Sequence, residues 1–190
     1  MLTFAAKYGQ NITSQFGENG ILGEIIHRIF PKDESRLAVE FGAPTKQYCS
    51  NIYPLNILWD KKWLDIDPQE FGIQKVTITP ENINDLFQTP NLLSIDIDND
   101  DYHIWKAYDA SPEIVVIEVN SSLPPPMREI PGKRGASYMS MLELGMSKGY
   151  FLVCHTGNMI FVRKDFRHLF PEVIGDGLDN YNLYFNTSHL

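Results

Sequence analysis

The sequence predicts an α/β chain built on a doubly wound, mostly parallel seven-stranded sheet that ends in an antiparallel β-hairpin. Two short apolar runs carry the first part of that prediction: Leu92-Leu93-Ser94-Ile95-Asp96-Ile97-Asp98 and Ile114-Val115-Val116-Ile117-Glu118-Val119-Asn120. Bounded runs of this length, rich in β-branched residues, are the pattern of strands buried on both faces of a parallel sheet. Segments with helical spacing alternate with them, and two further apolar runs flank Gly157-Asn158, a hairpin turn signal.

Taken in order, Ile21, Leu22, Ile25, Ile26, Ile29 and Phe30 recur at helical spacing after Gly20, and Pro31 stops them. Residues 37–41 form a first strand ending at Gly42. Residues 48–59 follow as a helix that Pro54 kinks or divides. Residues 63–66 make a second strand closing on Asp67-Pro68, and 73–78 a third; Pro80, Asn82 and Asn84 then mark a loop and a short helix ending near Phe87. The fourth strand is 92–97. Tyr102, Ile104, Trp105 and Tyr108 have helical spacing, with Asp100 and Asp101 placed to cap them, and the fifth strand is 114–119. Residues 121–135, with Pro124-Pro125-Pro126, Pro131 and Gly132, are either a substrate loop or a surface excursion. A helix from Tyr138 follows, with Ser137 as N-cap, Lys148-Gly149 as stop and Gly145 as an interior weak point. Residues 150–155 and 159–162 form the closing hairpin, as antiparallel edge strands. Residues 176–190 have aromatics but no period, and read as a docked tail or a partner contact.

The chain has 190 residues and a composition suited to one globular domain, 1–190, with a lead-in (1–31), an α/β core (37–166) and an irregular tail (171–190). A net charge of −8 argues against nucleic acid or an anionic membrane as partner. No stretch reaches the roughly 20 apolar residues of a membrane span, the start lacks a signal pattern, and two lone cysteines, Cys49 and Cys154, suit a reducing compartment. The expectation is a cytoplasmic protein, in which the sequons at Asn11, Asn120 and Asn186 are chance matches.

Open α/β sheets place ligands beyond the carboxyl ends of their strands, where this chain puts its acids. Side chains two apart on a strand share a face, so Asp96 pairs with Asp98, and Glu118 with Asn120. Asp98, Glu118 and Asn120 form a candidate oxygen site for Mg²⁺ or Ca²⁺. Asp98 is the first candidate for metal ligand or base, whereas Asp96 is either a second catalytic carboxylate or a buried structural one. Arg128, Lys133 and Arg134 are either an anion contact or a solvated group. His103 and His155 lack the spacing of a zinc site.

Ser14-Gln15-Phe16-Gly17-Glu18-Asn19-Gly20-Ile21, Val39-Glu40-Phe41-Gly42-Ala43, Ser50-Asn51, the block from Leu93 to Asp98, Asp101-Tyr102 with Ile104-Trp105-Lys106, Val115-Val116-Ile117-Glu118 and Phe161-Val162-Arg163-Lys164-Asp165 together resemble the FkbM-like group of class I S-adenosylmethionine-dependent methyltransferases and its uncharacterised relatives. The resemblance spans residues 13–166. It implies a Rossmann-like fold and S-adenosylmethionine as cofactor. Glu40 and Gly42 would lie at its amino-acid end, Asp67 at the ribose with Asp65 beside it, Asn82, Ile83 and Asn84 near the adenine, and Asp96 against the donor. The family pattern has another glycine-containing turn after the first strand; this chain has Pro44-Thr45-Lys46, which lacks that backbone freedom. Glu18 and the residues before it either cover the donor or cap the lead-in helix.

The leading expectation is an S-adenosylmethionine-dependent enzyme methylating oxygen on a sugar, glycan or other small molecule. The competing expectations are a methyltransferase-like module that has lost catalysis and serves binding, and a metal-dependent hydrolase built on the acidic strand ends.

Overall fold

The computed structural model describes residues 3–98, 100–123, 127–128 and 135–173. Most of the proline-rich passage, including Pro124-Pro125-Pro126, Lys133 and Arg134, and the tail from residue 174 onward lie outside the described residues, so the alternatives for both remain expectations.

Seven strands form one sheet: β1 (Arg36–Phe41), β2 (Trp59–Asp65), β3 (Ile73–Lys75), β4 (Leu92–Ile95), β5 (Ile114–Glu118), β6 (Tyr150–His155) and β7 (Asn158–Arg163), in the order β3-β2-β1-β4-β5-β7-β6. The α-helices are α1 (Phe4–Tyr8), α2 (Glu18–Ile29), α3 (Asp101–Ala107) and α4 (Tyr138–Ser147). Alternation along the strands builds two cores. Val39, Phe41, Leu93, Ile95, Val115 and Ile117 pack on the face that carries α3 and α4. Ala38, Leu92, Ile114 and Val116 pack on the face of α1 and α2. Both faces are therefore dry, which is why the central strands read as continuous apolar runs.

The hairpin forms, but it is not a pair of antiparallel edge strands. β7 inserts between β5 and β6 and is antiparallel to both, which leaves β6 at the edge running parallel to the first five. The insertion lets the buried residues of β7 (Met159, Ile160, Phe161 and Val162) meet both cores.

Residues 48–58 are not helical, and β2 begins at Trp59, earlier than expected. Side chains take the backbone groups a helix would use: Glu40 accepts from the Asn51 N–H at 2.7 Å, and Lys61 Nζ donates to the carbonyls of Tyr53 and Leu55 at 3.0 and 2.8 Å. β3 and β4 are shorter than expected, and the helix before Phe87 is a single 3₁₀ turn, Ile83–Asp85. Asp100 occupies the N-cap position of α3, as expected. Asp100 makes no side-chain cap bond, and the buried Asp101 turns back to accept from the Ile97 N–H at 2.9 Å, closing the loop that leaves β4.

Ser137 caps α4, accepting from the Ser140 N–H at 3.3 Å. Gly145 in that helix is a packing requirement, since an added Cβ would lie 2.5 Å from the ring of Phe161, itself fully buried and packed on Trp105 with centroids 5.0 Å apart. Alanine gains about 1 kcal/mol of helix propensity. Overpacking a filled core costs roughly 1–3 kcal/mol, so Gly145→Ala is expected to destabilise by about 1 kcal/mol in a denaturant titration, against the helix-propensity ranking.

Candidate functional site

The sheet order reverses between β1 and β4, where one chain half turns outward through β2 and β3 and the other through β5. At such a switch point the loops leaving neighbouring strands part and open a crevice. A cavity of about 480 Å³ lies there, within the roughly 300–1,000 Å³ of small-molecule sites. Leu64, Val76, Ile78 and Ile97 give it an apolar wall, and Asp65, Asp67, Asp96, Asp98 and Asp100 give it carboxylates.

Gly42 closes the floor. Its φ is +76°, its N–H donates to the Leu64 carbonyl at 3.1 Å, and an added Cβ would fall 1.4 Å from the Asp96 carbonyl oxygen. The glycine thus brings the end of β1 against the chain leaving β4. The turn after it is tied across the cavity rim: Pro44 O accepts from the Gln69 N–H at 2.9 Å, the Lys46 N–H donates to Glu70 at 2.8 Å, and Lys46 Nζ donates to the Phe71 carbonyl at 2.7 Å.

Asp96, Asp98 and Glu118 converge, each offering an oxygen within 4.8 Å of the others. Glu118 is the last residue of β5, and Asp98 sits at φ +55°, a left-handed conformation that aspartate tolerates better than most residues. Burial, before any neighbouring charge, pushes Asp96 up to about 8 and Glu118 up to about 7; Asp101 and Asp98 add repulsion to both. With both carboxyls raised and their oxygens within 4.8 Å of one another, the pair retains a proton near neutral pH. Three convergent oxygens of this kind could hold a hard cation or a proton.

Several expected site residues lie elsewhere. Glu40 is not among the residues lining the cavity: buried, it accepts from Ser50 Oγ, the Asn51 N–H and, at 3.1 Å, Trp63 Nε1, and burial raises its pKa. Asn120 is engaged locally, its Oδ1 accepting from the Ser122 N–H at 2.9 Å and Ser122 Oγ at 2.6 Å. Asn82 holds Thr77 and Thr79, Ile83 is in the core, and Asn84 bridges Ala107 and Asp109, so the wall expected from them is made instead by Val76 and Ile78. Asp67 does line the cavity, exposed and 3.6 Å from Lys75 Nζ, while the buried Asp65 accepts the Asp67 N–H at 2.6 Å.

Glu18 is a clasp. Fully buried, it accepts from the Phe16 N–H at 2.8 Å and Thr156 Oγ1 at 2.7 Å, joining the start of α2 to the β6–β7 turn. Asn19 accepts from the N–H groups of Ile12, Thr13 and Ser14 and donates to the carbonyls of Ser50 and Asn51. Spacing alone could not have revealed Thr156, Ser50 and Asn51 as partners, since each lies more than thirty residues away in the chain.

No protein-family model and no curated protein sequence matches the chain. Among solved structures it is similar to a TehB-like SAM-dependent methyltransferase from Corynebacterium glutamicum, with 14% identity, a TM-score of 0.48, and coverage of 84% of this chain and 92% of that one. No helix among the described residues is long and apolar enough to cross a membrane.

Proposed function

We propose that the cavity at the β1/β4 switch point binds S-adenosylmethionine and that the protein transfers its methyl group to a hydroxyl oxygen of a small molecule or glycan. The observation that carries this reading is the joining of an apolar wall to carboxylates at the ends of β2 and β4 within one cavity. An apolar wall suits a purine ring, and a carboxylate accepts from vicinal hydroxyls, a role Asp67 or Asp65 would fill. The bound cofactor supplies an activated methyl group on a sulfonium sulfur. Methyl transfer is an in-line displacement, so the protein must align the two partners and take the acceptor's proton. Asp98 is exposed at the mouth and suits the base; Asp96 and Glu118 hold a proton between them, or share a Mg²⁺ with Asp98.

A second reading, a binding module without catalysis, is favoured by the bridged Pro44-Thr45-Lys46 turn, which fixes the rim where a cofactor's amino-acid end would enter. Titration of the full chain with S-adenosylmethionine and S-adenosylhomocysteine, followed by calorimetry and thermal melting, decides between them. The expected result is saturable heat and, at a hundredfold excess over Kd, a stabilisation of about 2.7 kcal/mol. The absence of heat at millimolar ligand would overturn the enzyme reading.

A further inference from the structure

Beyond its place in the fold, the cavity has an unbalanced charge. Among the described residues that line it, five are aspartates and none is lysine, arginine or histidine. Lys75 reaches Asp67 from outside, but both side chains are more than 70% exposed, so water screens that pair. Among the described residues, no lysine, arginine or histidine forms an ion pair with Asp65, Asp96, Asp98 or Asp100. Glu118 adds a sixth acid in reach of Asp96 and Asp98.

Resting on the reading above, we infer that the cavity selects the cationic form of its nucleoside ligand, holding the sulfonium donor more tightly than the neutral thioether left after transfer. In the reaction the acceptor oxygen bonds to the methyl carbon, the carbon–sulfur bond breaks with its electron pair going to sulfur, and the acceptor's proton passes to a carboxylate. The donor therefore loses one positive charge while its adenosine and amino-acid parts are unchanged. A carboxylate a few Å from that charge, at the effective dielectric of a protein surface, is worth about tenfold in affinity or more. The acids would favour product release by withdrawing attraction at the moment the sulfur becomes neutral.

Calorimetric titration of the full chain with S-adenosylmethionine and S-adenosylhomocysteine at low and high salt tests this. At low salt the sulfonium is expected to bind about tenfold tighter, and the ratio should shrink as salt screens the exposed part of the field. Asp98→Asn, tolerated at a left-handed position, is expected to cut the ratio severalfold. Asp100→Asn is a second probe, since Asp100 is exposed and makes no side-chain cap bond. Equal or tighter binding of the thioether, or a ratio unmoved by both substitutions, would overturn charge selection and leave the proposed cofactor standing. Binding of neither ligand would overturn both.

Discussion

Replacing Gly42 with alanine is expected to destabilise the protein by roughly 3 kcal/mol or more, combining backbone strain with backbone overpacking. The position has φ +76°, and the new Cβ would lie 1.4 Å from the Asp96 carbonyl oxygen and 2.6 Å from its carbon. A flexible side chain could swing away from such a contact. Here the obstacle is main chain, so the ends of β1 and β4 must separate just beyond their last paired residues, Glu40 and Ser94. For a domain of this size the loss corresponds to a fall in Tm of about 6–12 °C. Gly23→Ala in α2 is the control, because nothing lies within 4 Å of its added Cβ, and the change should be neutral or stabilising by up to about 1 kcal/mol. Denaturant unfolding of both variants checks the pair, and wild-type stability in Gly42→Ala would disprove the close approach that forms the cavity floor.

The second large effect is on pH dependence. Asp96 and Glu118 are raised to about 8 and about 7, mainly by burial and then by neighbouring carboxylates. Carboxyls raised in the folded state bind protons that the unfolded chain releases, so their stabilisation is fully present below the unfolded values near 4. It is lost as pH climbs through about 7 to 8. Other groups titrate in the same range: burial lowers His155 to about 3, which favours the folded state as pH rises through the unfolded histidine value, and burial raises Glu40. The difference between wild type and Asp96→Asn isolates the pair. The two proteins should melt alike near pH 5. At pH 8.5 the asparagine variant should be more stable by roughly 3 kcal/mol, since it keeps a hydrogen-bonding group beside Glu118 without a second negative charge. If Asp96, Asp98 and Glu118 take a cation, millimolar Mg²⁺ should restore the wild type at high pH and leave the variant unmoved. Parallel pH profiles for the two proteins would count against a shared proton.

The strands of the central sheet were legible because their burial leaves a periodic trace. The runs ending at Ile95 and Glu118, the N-cap at Ser137 and the turn between β6 and β7 could all be read locally, as each depends on residues within a few positions of one another. Residues 48–59, expected as a helix that Pro54 kinks or divides, are not helical because a buried carboxylate on β1 and a lysine on β2 claim their polar groups.

The amino-acid sequence by itself determined the α/β class, the hairpin and the concentration of acids at strand ends, because hydrophobic periodicity and turn chemistry are local properties. Tertiary structure alone decided that β7 enters between β5 and β6, that Glu40 is buried against Ser50, Asn51 and Trp63 while Glu118 joins Asp96 and Asp98, and that Gly42 meets the Asp96 carbonyl. Those outcomes turn on which strand ends become neighbours and how closely their backbones approach. Such long-range packing geometry is shared by segments far apart in the chain and leaves no periodic mark in either one.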